Sequence, residues 1–337
     1  MKLLLFAVAG LLAQLVDGAL GMAFGITATT ALILSGTAPA QASAAVHFAE
    51  VGTTLFSGVS HWKLHNVHWP TVLFLGVPGA VGAFIGATVL SGLSTESAEP
   101  VVSALLLLLG AYVLVRSVAL PWKRQPRSEV ADGAGTPPVP AARGRIGLAV
   151  LGLGGGFLDA TGGGGWGPVT TSTLLSVGRR EPRKIIGTVN TAEFLVAVAA
   201  SLGFLVGLSE LHGSWQPVLG LLIGGLIGAP VAAWIVTVMK PDLLGGIVGA
   251  LLMVLNGIRV VNALGWPGAV AVAALVLVVG VVLVRTLGRR PVPGTVRERE
   301  RPGVVVVSET TGTVPSEDAD EPVDNAGAPA LRSFTTG

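Results

Sequence analysis

Apolar stretches near or above the length of a membrane crossing recur along this chain, at about 3–34, 41–61, 70–92, 100–119, 146–177, 185–207, 216–239, 242–262 and 266–285. About 20 predominantly apolar residues cross the hydrocarbon core as a helix. Only helices and closed barrels satisfy their backbone polar groups there, and stretches this long read as helices. Charged residues make up 12% of the chain, against about a quarter in an ordinary soluble domain. That is too little to cover a water-facing surface, so the fold class expected is an all-α polytopic membrane protein. The first stretch runs on past any short signal-peptide core, and no polar segment follows it, so a cleaved signal peptide is not expected. With no cysteine in the chain, disulfides, thiolate metal sites and cysteine nucleophiles are excluded. The net charge of +2 gives no sign of nucleic-acid binding, and the expected surroundings are a lipid bilayer.

Two of the stretches, 3–34 and 146–177, are too long for one simple crossing, and glycines and an aspartate interrupt both. The first reads Asp17-Gly-Ala-Leu-Gly-Met-Ala-Phe-Gly25, the second Asp159-Ala-Thr-Gly-Gly-Gly-Gly-Trp-Gly167. Each glycine inside a helix costs about 1 kcal/mol relative to alanine. Each stretch is therefore either a broken crossing or a hairpin that enters the membrane and returns to the same side.

The basic residues choose between these. Arg179, Arg180, Arg183 and Lys184 lie in one loop; Lys123, Arg124, Arg127, Arg143 and Arg145 lie in the linker 120–145; Arg285, Arg289, Arg290, Arg297, Arg299 and Arg301 follow the last span. The positive-inside rule places all three groups in the cytoplasm. That requires 146–177 to enter and leave on one side. The other loops then alternate, with Lys63 and Lys240 inside and Glu96, Glu99, Glu210 and His212 outside. Of the 21 Lys and Arg residues, only Lys2 and Arg259 depart from the pattern.

The two halves repeat each other at a nearly constant spacing. Asp17, Gly21, Phe24 and Gly25 match Asp159, Gly163, Trp166 and Gly167. Ala44-Ala-Val-His-Phe-Ala-Glu50 matches Gly187-Thr-Val-Asn-Thr-Ala-Glu193, and Trp69, Gly79 and Gly82 match Trp215, Gly225 and Gly228. Each copy is a broken or re-entrant hairpin followed by three spans. An odd number of spans starts the second copy from the opposite face, which makes the repeat inverted. The expected organisation is a first repeat over 1–119, a cytoplasmic linker 120–145, a second repeat over 146–264, an extra C-terminal transmembrane helix over 265–287, and a disordered cytoplasmic tail over 288–337. The tail is rich in Pro, Gly, Ser, Thr, Asp and Glu, too polar to build a core.

Inverted repeats usually make transporters with a site near the midplane. Non-helical backbone at that depth must be packed in protein or line a wet cavity, so the two breaks are expected to meet. Pro168 suits a first helical turn, and a returning arm would point its free N–H groups and positive dipole end at the break, an anion site. The candidate substrate-binding residues are Gly21, Gly25, Thr27, Thr29 and Thr30 in the first copy and Gly163, Gly164, Gly165, Gly167, Thr170 and Thr171 in the second. Asn190 and Thr191 join them. The alternative for any one of these is helix packing, or a threonine bonded back to its own helix. Glu50 with His47, and Glu193, are ionisable groups at membrane depth and so candidates for proton coupling. Either carboxyl could equally cap a broken helix and order its glycine loop. Asp17 and Asp159 are expected to order loop amides rather than bind an anion, which they would repel. His61, Trp62, Lys63, His65, His68 and Trp69 read as interfacial anchors, so no metal site and no cofactor is expected. Gly82/Gly86, Gly224/Gly228 and Gly245/Gly249 read as close helix contacts, within one chain or across a homodimer.

The duplicated glycine-rich break, the stretch Pro182-Arg-Lys-Ile-Ile-Gly-Thr-Val-Asn-Thr-Ala-Glu-Phe194 and the loop His65-Asn-Val-His-Trp69 together resemble the TauE/SafE family of sulfite exporters, over about 1–285. The resemblance implies an anion permease for sulfite, sulfonates or related sulfur compounds. The first break departs from the pattern, with Met22, Ala23 and Phe24 and no following proline. The residues and the resemblance lead to one expectation: an exporter of a small anion in the cytoplasmic membrane, with sulfite or an organosulfonate favoured and Glu50 and Glu193 as candidates for coupling protons. A passive anion channel is the first alternative. A cation carrier is the second, if Asp17, Glu50, Asp159 and Glu193 converge. An enzyme is not expected, because no nucleophile–base pair or metal set stands at cytoplasmic depth.

Overall fold

A computed structural model describes residues 2–20, 22–119, 142–177, 182–208, 215–238 and 241–287, which belong to one compact unit. Gly21, most of the linker and the tail from 288 lie outside the described residues, as do Glu210, His212 and Lys240. Every regular element described is helical: α1 (Lys2–Leu20), α2 (Phe24–Leu34), α3 (Pro39–Lys63), α4 (Trp69–Ser91), α5 (Thr95–Ala119), α6 (Ala142–Gly162), α7 (Ser172–Val177), α8 (Pro182–Gly207), α9 (Gln216–Val238), α10 (Pro241–Leu264) and α11 (Trp266–Leu287). A π-helical turn, Gly167–Thr171, leads into α7. Helices α4, α5, α8, α10 and α11 are long and apolar enough to cross a membrane. Of the polar residues that lower the hydropathy of α3, Ser43, His47, Glu50 and Thr54 are buried. They face protein, not lipid.

Both long apolar stretches are broken where the glycines fall, between α1 and α2 and between α6 and the π turn. The long arm of each then packs on the other half of the chain. Helix α1 lies along α9, and α6 lies along α4; α3 meets α8, and α5 meets α10. Exchanging α1–α5 with α6–α10 reproduces this arrangement. Glycine on α4 and α9 permits the close approach, as lipid-buried helices without a hydrophobic drive to associate require. A methyl group on Gly82 would lie 2.0 Å from Leu153 O, and one on Gly224 would lie 1.9 Å from Ala7 O. On α10, Gly249 meets the backbone of Leu114 in the same way. These contacts are all made within the chain. Helix α11 packs on α5 and α10 and presents Val276, Leu277, Val281 and Val284 outward.

Arg259, which the charge pattern left on the outer side, forms an ion pair with Glu99 of α5 at 2.6 Å.

Candidate functional site

Glu50 and Glu193 fall near the middle of the long helices α3 and α8, and the two breaks come together beside them. A Cβ on Gly25 would stand 2.5 Å from Gly164 Cα and 3.1 Å from Glu50 Oε1. One on Gly164 would stand 2.1 Å from Ile26 N. The breaks are thus in backbone contact, which only glycine allows. Their dihedrals depart from the helix in the same sense: Gly163 has φ 70° and Gly164 φ 149°, while in the first break Ala23 has φ 135°. A non-glycine residue there carries strain.

Each break is ordered by the aspartate that precedes it. Asp159 Oδ1 accepts the N–H groups of Gly165 (2.6 Å) and Trp166 (2.9 Å), and its carbonyl accepts those of Gly163 and Gly164. Asp159 Oδ2 lies 3.2 Å from His47 Nε2, both side chains being buried. His47 Nδ1 is 2.8 Å from Ser43 O, and Ser43 Oγ donates to Ala160 O at 2.7 Å. In the first break Asp17 Oδ1 accepts the N–H of Phe24 at 3.4 Å, and the N–H of Ala23 is also directed at its carboxyl. The second returning arm begins as a π turn, and the N–H groups of Gly165 and Trp166 ahead of it are spent on Asp159, not left for a ligand.

A cavity of about 110 Å³ lies where the breaks meet. Of the residues singled out in the sequence, Asp17, Gly25, Glu50, Asp159, Gly164, Gly167, Asn190 and Glu193 line it. Thr29 donates to Gly163 O at 2.6 Å and joins the breaks directly. Thr27 Oγ1, Thr171 Oγ1 and Glu50 Oε2 are buried with no hydrogen-bond partner. Thr170 and Thr191 donate to carbonyls of their own segments, those of Trp166 and Gly187. Thr30 Oγ1 accepts from Asn256 Nδ2 at 3.2 Å. Gly21 lies outside the described residues.

Sequence reasoning passed over Gln14, Thr53, Thr54 and Ser57, which also line the cavity. The signal was present. Thr53, Thr54 and Ser57 stand three, four and seven residues beyond Glu50, on one helical face. Gln14 stands three before Asp17. Ser57 accepts a hydrogen bond from Asn190 Nδ2 at 3.1 Å.

Four carboxyl groups therefore border one small cavity, and no lysine or arginine is among its lining residues. Ligand atoms of His47, Glu50 and Asp159 also lie within 4.8 Å of one another, a spacing that a bound cation could bridge. At about 110 Å³ the cavity is well below the ~300–1,000 Å³ of a drug-sized ligand site, and suits a small ion with little water.

The family model described as "Sulfite exporter TauE/SafE" matches residues 6–260. A protein of Bacillus subtilis (strain 168) described as "Probable membrane transporter protein YtnM" is 47% identical over 275 residues, covering 82% of this chain and 87% of that protein. Both descriptions point to a membrane transporter rather than an enzyme. No solved structure matches.

Proposed function

This chain belongs to the sulfite exporter TauE/SafE family of membrane transporters, and from that premise we propose that it exports sulfite or an organosulfonate across the cell membrane together with protons. The observation that carries the reading is the meeting of two glycine breaks around a small cavity bordered by Asp17, Glu50, Asp159 and Glu193. One unit charge 4 Å from another of like sign costs about 4 kcal/mol at an effective dielectric of about 20. A single ionised carboxylate beside the anion would thus weaken binding about a thousandfold. The anion enters when Glu50 and Glu193 carry protons, which turns each from a repelling charge into a hydrogen-bond donor, while Asp159 and Asp17 are turned to the amide N–H groups of their own breaks. The hydroxyls of Thr27 and Thr171, outside the cavity lining but unpartnered, are neutral donors that a rearrangement of the breaks would offer, and the glycines Gly25, Gly164 and Gly167 let the anion reach the backbone.

The exchange of helix contacts between the halves supports an inverted repeat, with the first copy over 1–119, the second over 146–264 and α11 outside both. Rocking of one half against the other would give alternating access. The distribution of basic residues supports a cytoplasmic linker 120–145 and a cytoplasmic tail from 288.

The test is sulfite flux in proteoliposomes with and without a pH gradient, for the wild type, Glu50→Gln and Glu193→Gln. Saturable flux that follows the gradient in the wild type, and loses that dependence in either variant, is expected. Flux that ignores the gradient would leave a passive channel. The convergence of four carboxyls favours one second reading, a cation carrier. Uptake of a divalent cation in the absence of sulfite, abolished in Glu50→Gln, would put it first.

A further inference from the structure

The repeat pairs Asp17 with Asp159, Thr29 with Thr171, and His47 with Asn190. Exchanging the halves therefore turns the His47–Asp159 contact into an Asn190–Asp17 contact, and turns the bond from Thr29 into one from Thr171. Only one member of each pair is made. His47 meets Asp159 at 3.2 Å and Thr29 donates to Gly163 O at 2.6 Å. Asn190 turns instead to Ser57, Thr171 Oγ1 has no partner, and the cavity lies against both Asn190 and Asp17.

The bond that is made is also the better braced. His47 Nδ1 lies 2.8 Å from Ser43 O, which can only accept, so that nitrogen carries a proton and the ring is held with Nε2 toward Asp159 Oδ2. Asp159 and Glu50 are the titratable groups facing His47, with the Phe204 ring on its other side at 5.9 Å. From Glu50 the cavity runs along Thr53, Thr54 and Ser57 toward the Lys63 end of α3, which the charge pattern assigns to the cytoplasm. Ser43 and His47, on the opposite side of Glu50, are fully buried.

We propose that His47–Asp159 and Asn190–Asp17 are two alternately closed gates flanking the Glu50–Glu193 level, the first closed and the second open in this structure, and that transport exchanges them. The proposal rests on the inverted-repeat carrier reading and deepens it by naming the bonds that hold each state. Because the protein contains no cysteine, single cysteines report its state without background. Ser57→Cys and Ser43→Cys would be made in the full chain, reconstituted in liposomes and treated with a membrane-impermeant thiol reagent from either side. Ser57→Cys is expected to react and Ser43→Cys to resist. Adding His47→Gln should slow the first and expose the second by about tenfold or more, as loss of the bond that holds one state shifts the two-state balance. Asn190→His is the companion, since it offers Asp17 the same imidazole partner that Asp159 has without removing the gate that is closed. It too should slow Ser57→Cys and expose Ser43→Cys. Labelling unchanged within about twofold in both variants, or faster at both positions in Asn190→His, would overturn the exchange of gates. No sulfite enters this assay, so a carrier that switches gates but moves no sulfite would count against the substrate alone.

Discussion

The two breaks occupy matched places in the repeat and are held very differently. The second is tied by Asp159 to two amides at 2.6 and 2.9 Å, by His47 across to α3, and by Thr29 to the first break. The first has a longer bond, 3.4 Å from Phe24 N to Asp17, and a strained Ala23 where the second copy has Gly165. In this state one copy of the duplicated element is thus the tighter wall and the other the looser one. A fully symmetric protein would gain nothing in any single state by favouring one side. Unequal ties give it a preferred resting state, and the cavity opens against the weaker copy.

The sharpest way to break this comparison is to remove each aspartate in turn. Asp159→Ala leaves two buried amides unpaired and His47 without its partner. It is expected to lower unfolding stability by about 3–5 kcal/mol, read as a fall in the thermal midpoint of the purified protein in detergent. Asp17→Ala removes longer bonds and should cost about 1 kcal/mol. Equal losses would mean that the breaks are tied alike and that the distances mislead. Next in size is Gly164→Ala, where the new methyl group would collide with Ile26 N in a backbone conformation that disfavours side chains. A loss of about 2 kcal/mol or more is expected. Gly154→Ala, in the same helix–break segment but with open space around it, should be neutral or gain up to about 1 kcal/mol from helix propensity.

Ala23 offers the reverse experiment. With φ at 135° it carries strain of order 1–3 kcal/mol, while glycine in its place costs the unfolded chain's extra entropy, about 0.5–1 kcal/mol. Ala23→Gly should therefore raise stability by about 1 kcal/mol. If the midpoint falls instead, the backbone at Ala23 is not strained and the looseness of the first break comes only from its longer hydrogen bonds.

Much of this was legible before any coordinates. The spans were readable because apolar runs of membrane length have one structural solution, and the breaks because glycine runs cannot continue a helix in lipid. The meeting of the two breaks followed from the repeat. The lining by Thr53, Thr54 and Ser57 needed only the helical period of α3, but threonines in an apolar helix usually bond back to it, as Thr54 also does to Glu50 O. The inequality of the breaks was not legible. Asp17 and Asp159 stand in matched motifs, and which of them is bonded is a property of one conformational state that both sequences permit. The π turn at Gly167–Thr171 was hidden for a different reason: Pro168 announces a helix start and says nothing of its pitch.

The smallest effect on stability separates holding from binding most cleanly. Thr29 and Thr171 are matched residues, both buried, but only Thr29 makes an inter-break bond. Thr29→Val leaves Gly163 O without its donor and should cost about 1 kcal/mol or somewhat more. Thr171 Oγ1 has no partner, so Thr171→Val exchanges an unsatisfied hydroxyl for a methyl of the same shape, and the thermal midpoint should stay put or rise slightly. A hydroxyl that can be removed without loss of stability is kept for some other contact. If that contact is the transported anion, Thr171→Val will lower sulfite flux while leaving the fold untouched, whereas Thr29→Val will lower flux only as far as it loosens the second break. A variant at Thr171 that transports normally would assign the unpaired hydroxyl to the partner it meets when the gates exchange, and the anion to the backbone and carboxyls alone.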